Sequence, residues 1–298
     1  MEQIVKLDTV GQYNEYMGVE TFHPLVNVVD LSKVKPMAFH RHLFGFYTIF
    51  LKDVKCGNLI YGCHTYDYQE GTLVFIAPGQ VSGVETKGEK IQPKGYALVF
   101  HPDLLYGTSL GKTIRSYNFF SYEVSEALHM SEQERKVIIE CLNNISYELQ
   151  HAVDKHSKTL IVRYIELFLD YCTRFYDRQF ITREHVNQDI LVRFEKLVED
   201  YFNSDKPQSI GFPTVSYCAD QFNLSPNYFG DMIKKEIGKT AQEYIQNKMM
   251  DVAREKLTGT DKPINEIAYE LGFKYPQHFS RMFSKQEGIS PNVYRSMN

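Results

Sequence analysis

Between residues 214 and 295 the chain repeats itself, and this restricts its fold more than any other feature. Residues 215–226 (VSYCADQFNLSP) read as a short helix, a tight turn and a restart. Ser225 suits a helix N-cap, and Pro226 suits the first helical position, where a missing N–H costs nothing. Phe229, Met232, Ile233 and Ile237 then follow at three- and four-residue steps up to Gly238. Residues 264–273 (INEIAYELGF) restate the first part, and Phe279, Met282, Phe283 and Gly288 restate the second. Before the turn the pairs Val215/Ile264, Ala219/Ala268, Phe222/Leu271 and Leu224/Phe273 are 49 residues apart. After it Phe229/Phe279, Met232/Met282, Ile233/Phe283, Lys235/Lys285, Gly238/Gly288 and Tyr244/Tyr294 are 50 apart, so the second turn has one extra residue. Chance matches at helical spacing are common. They do not bring back the small Ala, the turn apolar, the helix apolars, the closing Gly and the trailing Tyr together. The pattern predicts two helix-turn-helix units, at 215–237 and 264–287.

The spacer supports this reading. Thr240 and Glu243 form a capping-box pair, and Tyr244, Ile245, Met249, Val252, Ala253 and Leu257 carry a helix to Gly259. Some 18 residues at about 1.5 Å each make a rod of about 27 Å. Such a rod suits two recognition helices held on one face, about one duplex turn (roughly 34 Å) apart.

The second copy also carries a family resemblance. Its segments 267–273 (IAYELGF), 278–285 (HFSRMFSK) and 288–295 (GISPNVYR) resemble the DNA-binding domain of the AraC/XylS transcription regulators along the whole of that family's signature. The first copy, 224–229 (LSPNYF), fits less tightly. The resemblance spans 190–298, about a third of the chain. It implies a sequence-specific regulator that binds double-stranded promoter DNA. It further implies a cupin-like sensor barrel at the N-terminal end, a homodimer, a small-molecule effector, and contact with RNA polymerase if the protein activates.

In a helix-turn-helix the N-terminal face of the second helix meets base edges. In the second copy that face offers Gln277, Ser280 and Arg281, with Lys274 and Lys285 placed for phosphates. Arg pairs with guanine and Gln with adenine. In the first copy the same face offers Asn227, Gly230 and Asp231, with Lys234, Lys235 and Lys239 near the backbone. Gly230 has no side chain with which to read a base, and Asp231 sets a negative charge toward phosphate. Each of these residues also reads, more blandly, as part of a solvated helix face. The block 190–298 holds 14 basic and 14 acidic residues, so non-specific affinity should be modest.

The rest of the chain has a different texture. Up to about residue 120, short apolar runs alternate with turn formers: Leu25–Val29, Phe44–Leu51, Asn58–Tyr66, Gly71–Ile76, Gly95–His101 and Tyr117–Phe120. Then Ser131 and Glu134 form a capping-box pair ahead of a helix along Val137, Ile138, Cys141, Leu142, Ile145 and Leu149. A second helix, Lys158–Tyr176, lines up Leu160, Tyr164, Leu167, Phe168, Tyr171, Cys172 and Phe175. Those helices either cover the barrel or form a dimer seam, since an apolar stripe does not name its partner. The predicted fold is α+β: a cupin-like β-barrel sensor (1–125), a helical dimerisation or packing segment (126–180), a linker (181–189) and an all-α DNA-binding domain (190–298). Residues 203–213, with Pro207, Gly211 and Pro213, read as a loop.

Other function classes find little support. With 33 basic and 37 acidic residues, a net charge of −4 argues against a polybasic binder. No apolar run reaches the length of a membrane span, and Glu2, Lys6 and Asp8 leave no apolar signal segment, so a cytoplasmic protein is expected. Five cysteines (Cys56, Cys63, Cys141, Cys172 and Cys218) with no CxxC pair argue for reduced thiols. His40 and His42 alternate, so both would point inward from a strand. Cupin metal sites add a Glu and a third His, and here Gln80 and Ser82 stand after Pro78-Gly79 instead, so no metal or cofactor is expected. Cys63-His64 and His101 have no partner at a useful spacing. No P-loop, dinucleotide fingerprint or nucleophile elbow occurs, and no catalytic residue is assigned. His40, His42, Phe44 and Tyr61 are the candidates for contact with an effector. The alternatives are a cupin-like enzyme fused to a DNA-targeting module, or a regulator with no small ligand.

Overall fold

The computed structural model describes residues 4–38, 40–52, 58–61, 64–67, 71–84, 90–123, 126–151 and 154–297. Contacts divide the chain into two units, residues 1–182 and 183–298. Sheets lie in the first and helices make up the second, so the fold is a mixed α+β one.

The first unit has two five-stranded sheets. One runs in the order β1 (Val5–Leu7), β3 (His42–Phe44), β8 (Val81–Val84), β5 (Asn58–Tyr61), β6 (His64–Asp67). The other runs β10 (Leu128–His129), β7 (Thr72–Ile76), β4 (Tyr47–Lys52), β9 (Gly95–Phe100), β2 (Val26–Asp30). Every pairing is antiparallel except β1 with β3. Among the described residues no ladder joins the sheets, so the closed barrel expected from the strand pattern is seen as two separate sheets.

The crossings explain why. A single strand Phe44–Leu51 was expected, but the chain leaves one sheet at Phe44 and enters the other at Tyr47. Gly45 makes the step, its N–H donating to the Leu7 carbonyl at 2.8 Å. A Cβ there would stand 2.8 Å from the Asp8 carbonyl oxygen, closer than real contacts allow. Pro78-Gly79 is the second crossing, from β7 to β8, and the Gly79 N–H donates to the Phe44 carbonyl at 2.7 Å. One core cluster draws on both sheets and on helix α1 (Val10–Met17): Leu7 and Phe44 meet Val29, Val74, Ile76, Ala97 and Val99, beside Val10, Tyr13 and Met17.

All five residues of β7 are buried. Its outward Phe75 meets Phe119 at 4.4 Å and Phe120 at 5.6 Å between ring centroids. The expected strand Tyr117–Phe120 is a 3-10 turn, Asn118–Ser121. Strand alternation would send adjacent aromatics to opposite faces, whereas the tight turn buries both on Phe75. Following the short helix α2 (Ser109–Thr113), α3 (Glu132–Gln150) starts at the Ser131/Glu134 capping box, and α4 (Ser157–Thr182) packs on α3. Gln179 accepts from the His129 amide at 2.8 Å and donates to the Ala127 carbonyl at 3.2 Å, tying α4 to the segment that forms β10. The apolar stripe expected on α4 splits: Phe168, Cys172 and Phe175 are buried, while Leu160 and Leu167 are 41% and 44% exposed.

The expected linker 181–189 is helical on both sides of Arg183: α4 runs to Thr182, and α5 (Glu184–Phe202) starts directly after. Glu184 and Gln188 in this polar stretch are good helix formers, and Phe180 and Asn187 are buried on their respective helices. The expected loop 203–213 contains a short helix, α6 (Lys206–Ile210), with Pro207 in its first turn. There follow α7 (Val215–Asp220), α8 (Pro226–Ile237), α9 (Ala241–Gly259), α10 (Ile264–Glu270), α11 (Pro276–Glu287) and α12 (Pro291–Met297). Cys56 and Cys63 lie outside the described residues, while Cys141, Cys172 and Cys218 are free and buried. No helix among the described residues is long and apolar enough to cross a membrane.

Replacing Gly45 by Ala should lower stability by about 1–3 kcal/mol, because backbone rather than a side-chain tip must yield. A fall in the melting temperature of the full chain, read by calorimetry, is the expected outcome.

Candidate nucleic-acid interface

Each helix pair in the second unit is set by the same few contacts. The Leu224 amide donates to the Ala219 carbonyl at 3.1 Å, and the Phe273 amide to the Ala268 carbonyl at 2.9 Å. Ala219 and Ala268, which accept these bonds, are both fully buried. The backbone turns left-handed at Asn223 (φ 53°) in one copy and at Gly272 (φ 92°) in the other, a pair 49 residues apart. Gly272 is required for a second reason: a Cβ there would stand 2.7 Å from the Pro207 carbonyl. Beneath the second helices, Phe229, Met232 and Ile233 in α8 and Phe279 and Phe283 in α11 are fully buried. Met282, the counterpart of Met232, is only half-buried.

This packing decides which side chains are left outside. On α11, Gln277 and Arg281 are exposed and Ser280 is half-buried, with exposed Lys274 and Lys285 at either end. Gln277, Ser280 and Arg281 make no side-chain hydrogen bond or ion pair among the described residues, so their donors are available to an incoming partner. On α8, Asn227, Lys234 and Lys235 are exposed, and Gly230 and Asp231 are half-buried. Asp231 and Lys235 are each already engaged within the protein. The helix starts differ too: the Ser225 hydroxyl caps α8 by accepting from the Tyr228 amide at 3.2 Å, whereas Tyr275 at the start of α11 supplies no side-chain cap. Tyr275 is 49% exposed, its ring 5.5 Å from His278 and 6.0 Å from the Lys274 ammonium. Tyr275 and His278 stand at the start of α11, where the extra residue of the second turn is their signal in the sequence.

Ion pairs tie both helices of the second motif to α9. Arg254 of α9 pairs with Glu287 of α11 and with Asp251. Glu270 of α10 accepts from Lys256 at 2.6 Å and from Lys262. Burial works against the Glu270 charge, but the two lysine hydrogen bonds outweigh it and hold the carboxyl below its ordinary pKa.

The other candidate group, in the first unit, is not brought together as expected. His40 is exposed and precedes the strand, while His42 is buried at the start of β3. His42 lies with its ring 4.7 Å from Tyr16 and 5.7 Å from Phe44. Burial, then the His40 charge, push the His42 pKa down to about 4, so it is neutral at physiological pH. Phe44 is a core residue, with Phe46 at 5.6 Å and Phe50 at 6.5 Å. Tyr61 of β5 and His42 of β3 both pair in register with Ser82 of β8. His42 Nε2 and the Tyr13 and Tyr16 hydroxyls are buried with no hydrogen-bond partner among the described residues. No cluster of three or more metal-ligating side chains occurs among the described residues.

Residues 218–297 match the family described as a helix-turn-helix domain. They form an AraC-type DNA-binding domain. Relatives include the uncharacterized HTH-type transcriptional regulator YfiF of Bacillus subtilis (strain 168), 30% identical over 141 residues, which are 47% of this chain and 41% of YfiF. Another is the HTH-type transcriptional activator RhaS of Enterobacter sp. (strain 638), 30% identical over 119 residues, 36% of this chain and 42% of RhaS. The chain thus spans less than half the length of these relatives. Among solved structures, the C-terminal domain of AraT, a response regulator from Geobacillus stearothermophilus, is 32% identical; the match covers 37% of this chain and 85% of that one, at a TM-score of 0.33.

Removing the Glu270 charge tests how the AraC-type domain is held together. Glu270→Gln should cost about 1–3 kcal/mol at pH 7, the usual worth of hydrogen bonds to a charged group. A depressed carboxylate pKa contributes stability that is present above its ordinary pKa and lost as pH falls through the lowered value. The melting-temperature gap between Glu270→Gln and the parent chain should therefore close as the pH is lowered through that range.

Proposed function

We propose that this chain is a sequence-specific DNA-binding transcription regulator in which α11 is the principal base reader. The observation that carries the reading is the pair of helix-turn-helix units, one of which presents Gln277 and Arg281 exposed and uncommitted. Arg281 is assigned to guanine, Gln277 to adenine and Ser280 to an adjacent base edge. Lys274, Lys285, Lys234, Lys235 and Asn227 are assigned to phosphate oxygens, which position the domain without carrying sequence information. The net-neutral charge of 190–298 favours reliance on two successive half-sites over non-specific attraction.

The first unit is assigned as a cupin-like sensor domain and the second as the output. Control by a small molecule is supported by the three unpaired polar atoms at His42, Tyr13 and Tyr16, since leaving such groups unsatisfied in a core costs about 1–3 kcal/mol each. Homodimerisation is supported by the outward Leu160 and Leu167 of α4. A cytoplasmic location, and RNA polymerase as a partner if the protein activates, follow from the proposed role. The protein is assigned no catalytic activity.

The test is binding of the full chain to duplexes enriched from a randomised pool. One sequence should be enriched over its scrambled version, with affinity falling steeply as salt rises. Equal affinity for both at every salt concentration would remove the sequence-specific claim. Arg281→Ala should cost about 1–3 kcal/mol and relax preference at one base pair. Asp231→Ala should leave preference unchanged. If Asp231→Ala instead loses discrimination at one base pair while Arg281→Ala has no effect, the reader is α8, with Asp231 accepting from a cytosine amino group.

A further inference from the structure

The two second helices share one register but present different faces. Where α11 carries Gln277, Ser280 and Arg281, α8 carries Asn227, Gly230 and Asp231. A glycine inside a helix weakens it relative to alanine, because the unfolded chain gains freedom that folding must remove. Two internal reasons commonly retain one: a left-handed backbone, or a neighbour too close to admit a Cβ. Neither applies to Gly230. It lies within the helix Pro226–Ile237 and is absent from the positions with positive φ. A Cβ built on it meets no atom within 4 Å. The protein's own packing therefore does not explain the missing side chain.

What flanks Gly230 indicates what lies against it. Asn227 is exposed one turn before it and Lys234 one turn after, while the adjacent Asp231 is half-buried and already engaged within the protein. Asn227 and Lys234 are donors suited to phosphate oxygens. We propose, resting on the DNA-binding reading above, that Gly230 is the point at which α8 seats directly against the sugar–phosphate backbone. Asn227 and Lys234 then donate to flanking phosphates while α11 reads bases. Glycine permits this approach because bare helix backbone admits a partner that a methyl group would hold off. The two units thus divide the work: α8 fixes height and register on the duplex, and α11 supplies the sequence preference.

The test uses the full chain with Gly230→Ala and, as control, Gly259→Ala, whose added Cβ also meets nothing within 4 Å but stands at the end of α9. Melting temperature is measured without DNA. Affinity is measured by anisotropy on a duplex carrying the sequence that the parent chain enriches from a randomised pool, and the enrichment is repeated with each variant. Gly230→Ala should raise the melting temperature, weaken binding at least ten-fold and leave the enriched sequence unchanged. Gly259→Ala should bind within two-fold of the parent. Unchanged or tighter binding by Gly230→Ala overturns the inference, as does a shift in one enriched base or a fall in melting temperature. A parent chain that binds no duplex overturns the DNA-binding reading itself, and this inference with it.

Discussion

The closing of each first helix on the carbonyl of a buried alanine is the contact on which the rest of the second unit depends. One amide, from Leu224 or Phe273, donates back to the carbonyl of the buried Ala219 or Ala268, which ends the first helix and sets the turn into the second. With the turn fixed, burial of Phe229 and Phe279 fixes the rotation of the second helices about their own axes. Rotation in turn decides which residues reach solvent. The exposed face of α11 is therefore a consequence of its buried face, and no residue on it has to be held by a bond of its own.

This is why the second unit was largely legible from the residues. Helical packing repeats every three or four positions, and a duplicated motif states the same pattern twice, so the small Ala, the turn apolars and the closing Gly could be aligned against each other. What could not be aligned was read less well. Pro207 lies in a stretch rich in turn formers, yet its position in the first turn of a helix suits a residue that lacks an N–H. The charged and amide residues from 181 to 189 resembled a linker because composition does not separate a solvated helix face from a loop.

The first unit hid more, for a different reason. Sheet membership depends on contacts far apart in sequence. An apolar run that changes sheets at one glycine looks continuous, which is how Phe44–Leu51 read as one strand. His40 and His42 alternate as strand neighbours should, but β3 begins at His42, so only one of them takes the inward position. The adjacent aromatics Phe119 and Phe120 satisfy strand propensity equally well, although a 3-10 turn buries both on one side. For the aromatic runs local preference was correct about burial and wrong about the geometry that achieves it, and for His40 it was wrong about burial itself.

The contact between Gly272 and the Pro207 carbonyl bears on how modular the second unit is. Helix α6 lies against the turn of the second helix-turn-helix, and α5 packs on α8 and α9, with Phe194 5.2 Å from Phe229. Together they form a strap across both motifs, although neither belongs to the stretch 218–297 that carries the family match. A fragment cut where the recognisable motif begins would strip the floor from beneath Phe229 and leave the second turn without its abutment. The matched signature and the compact unit therefore have different edges, and the compact unit is the longer one, starting at residue 183.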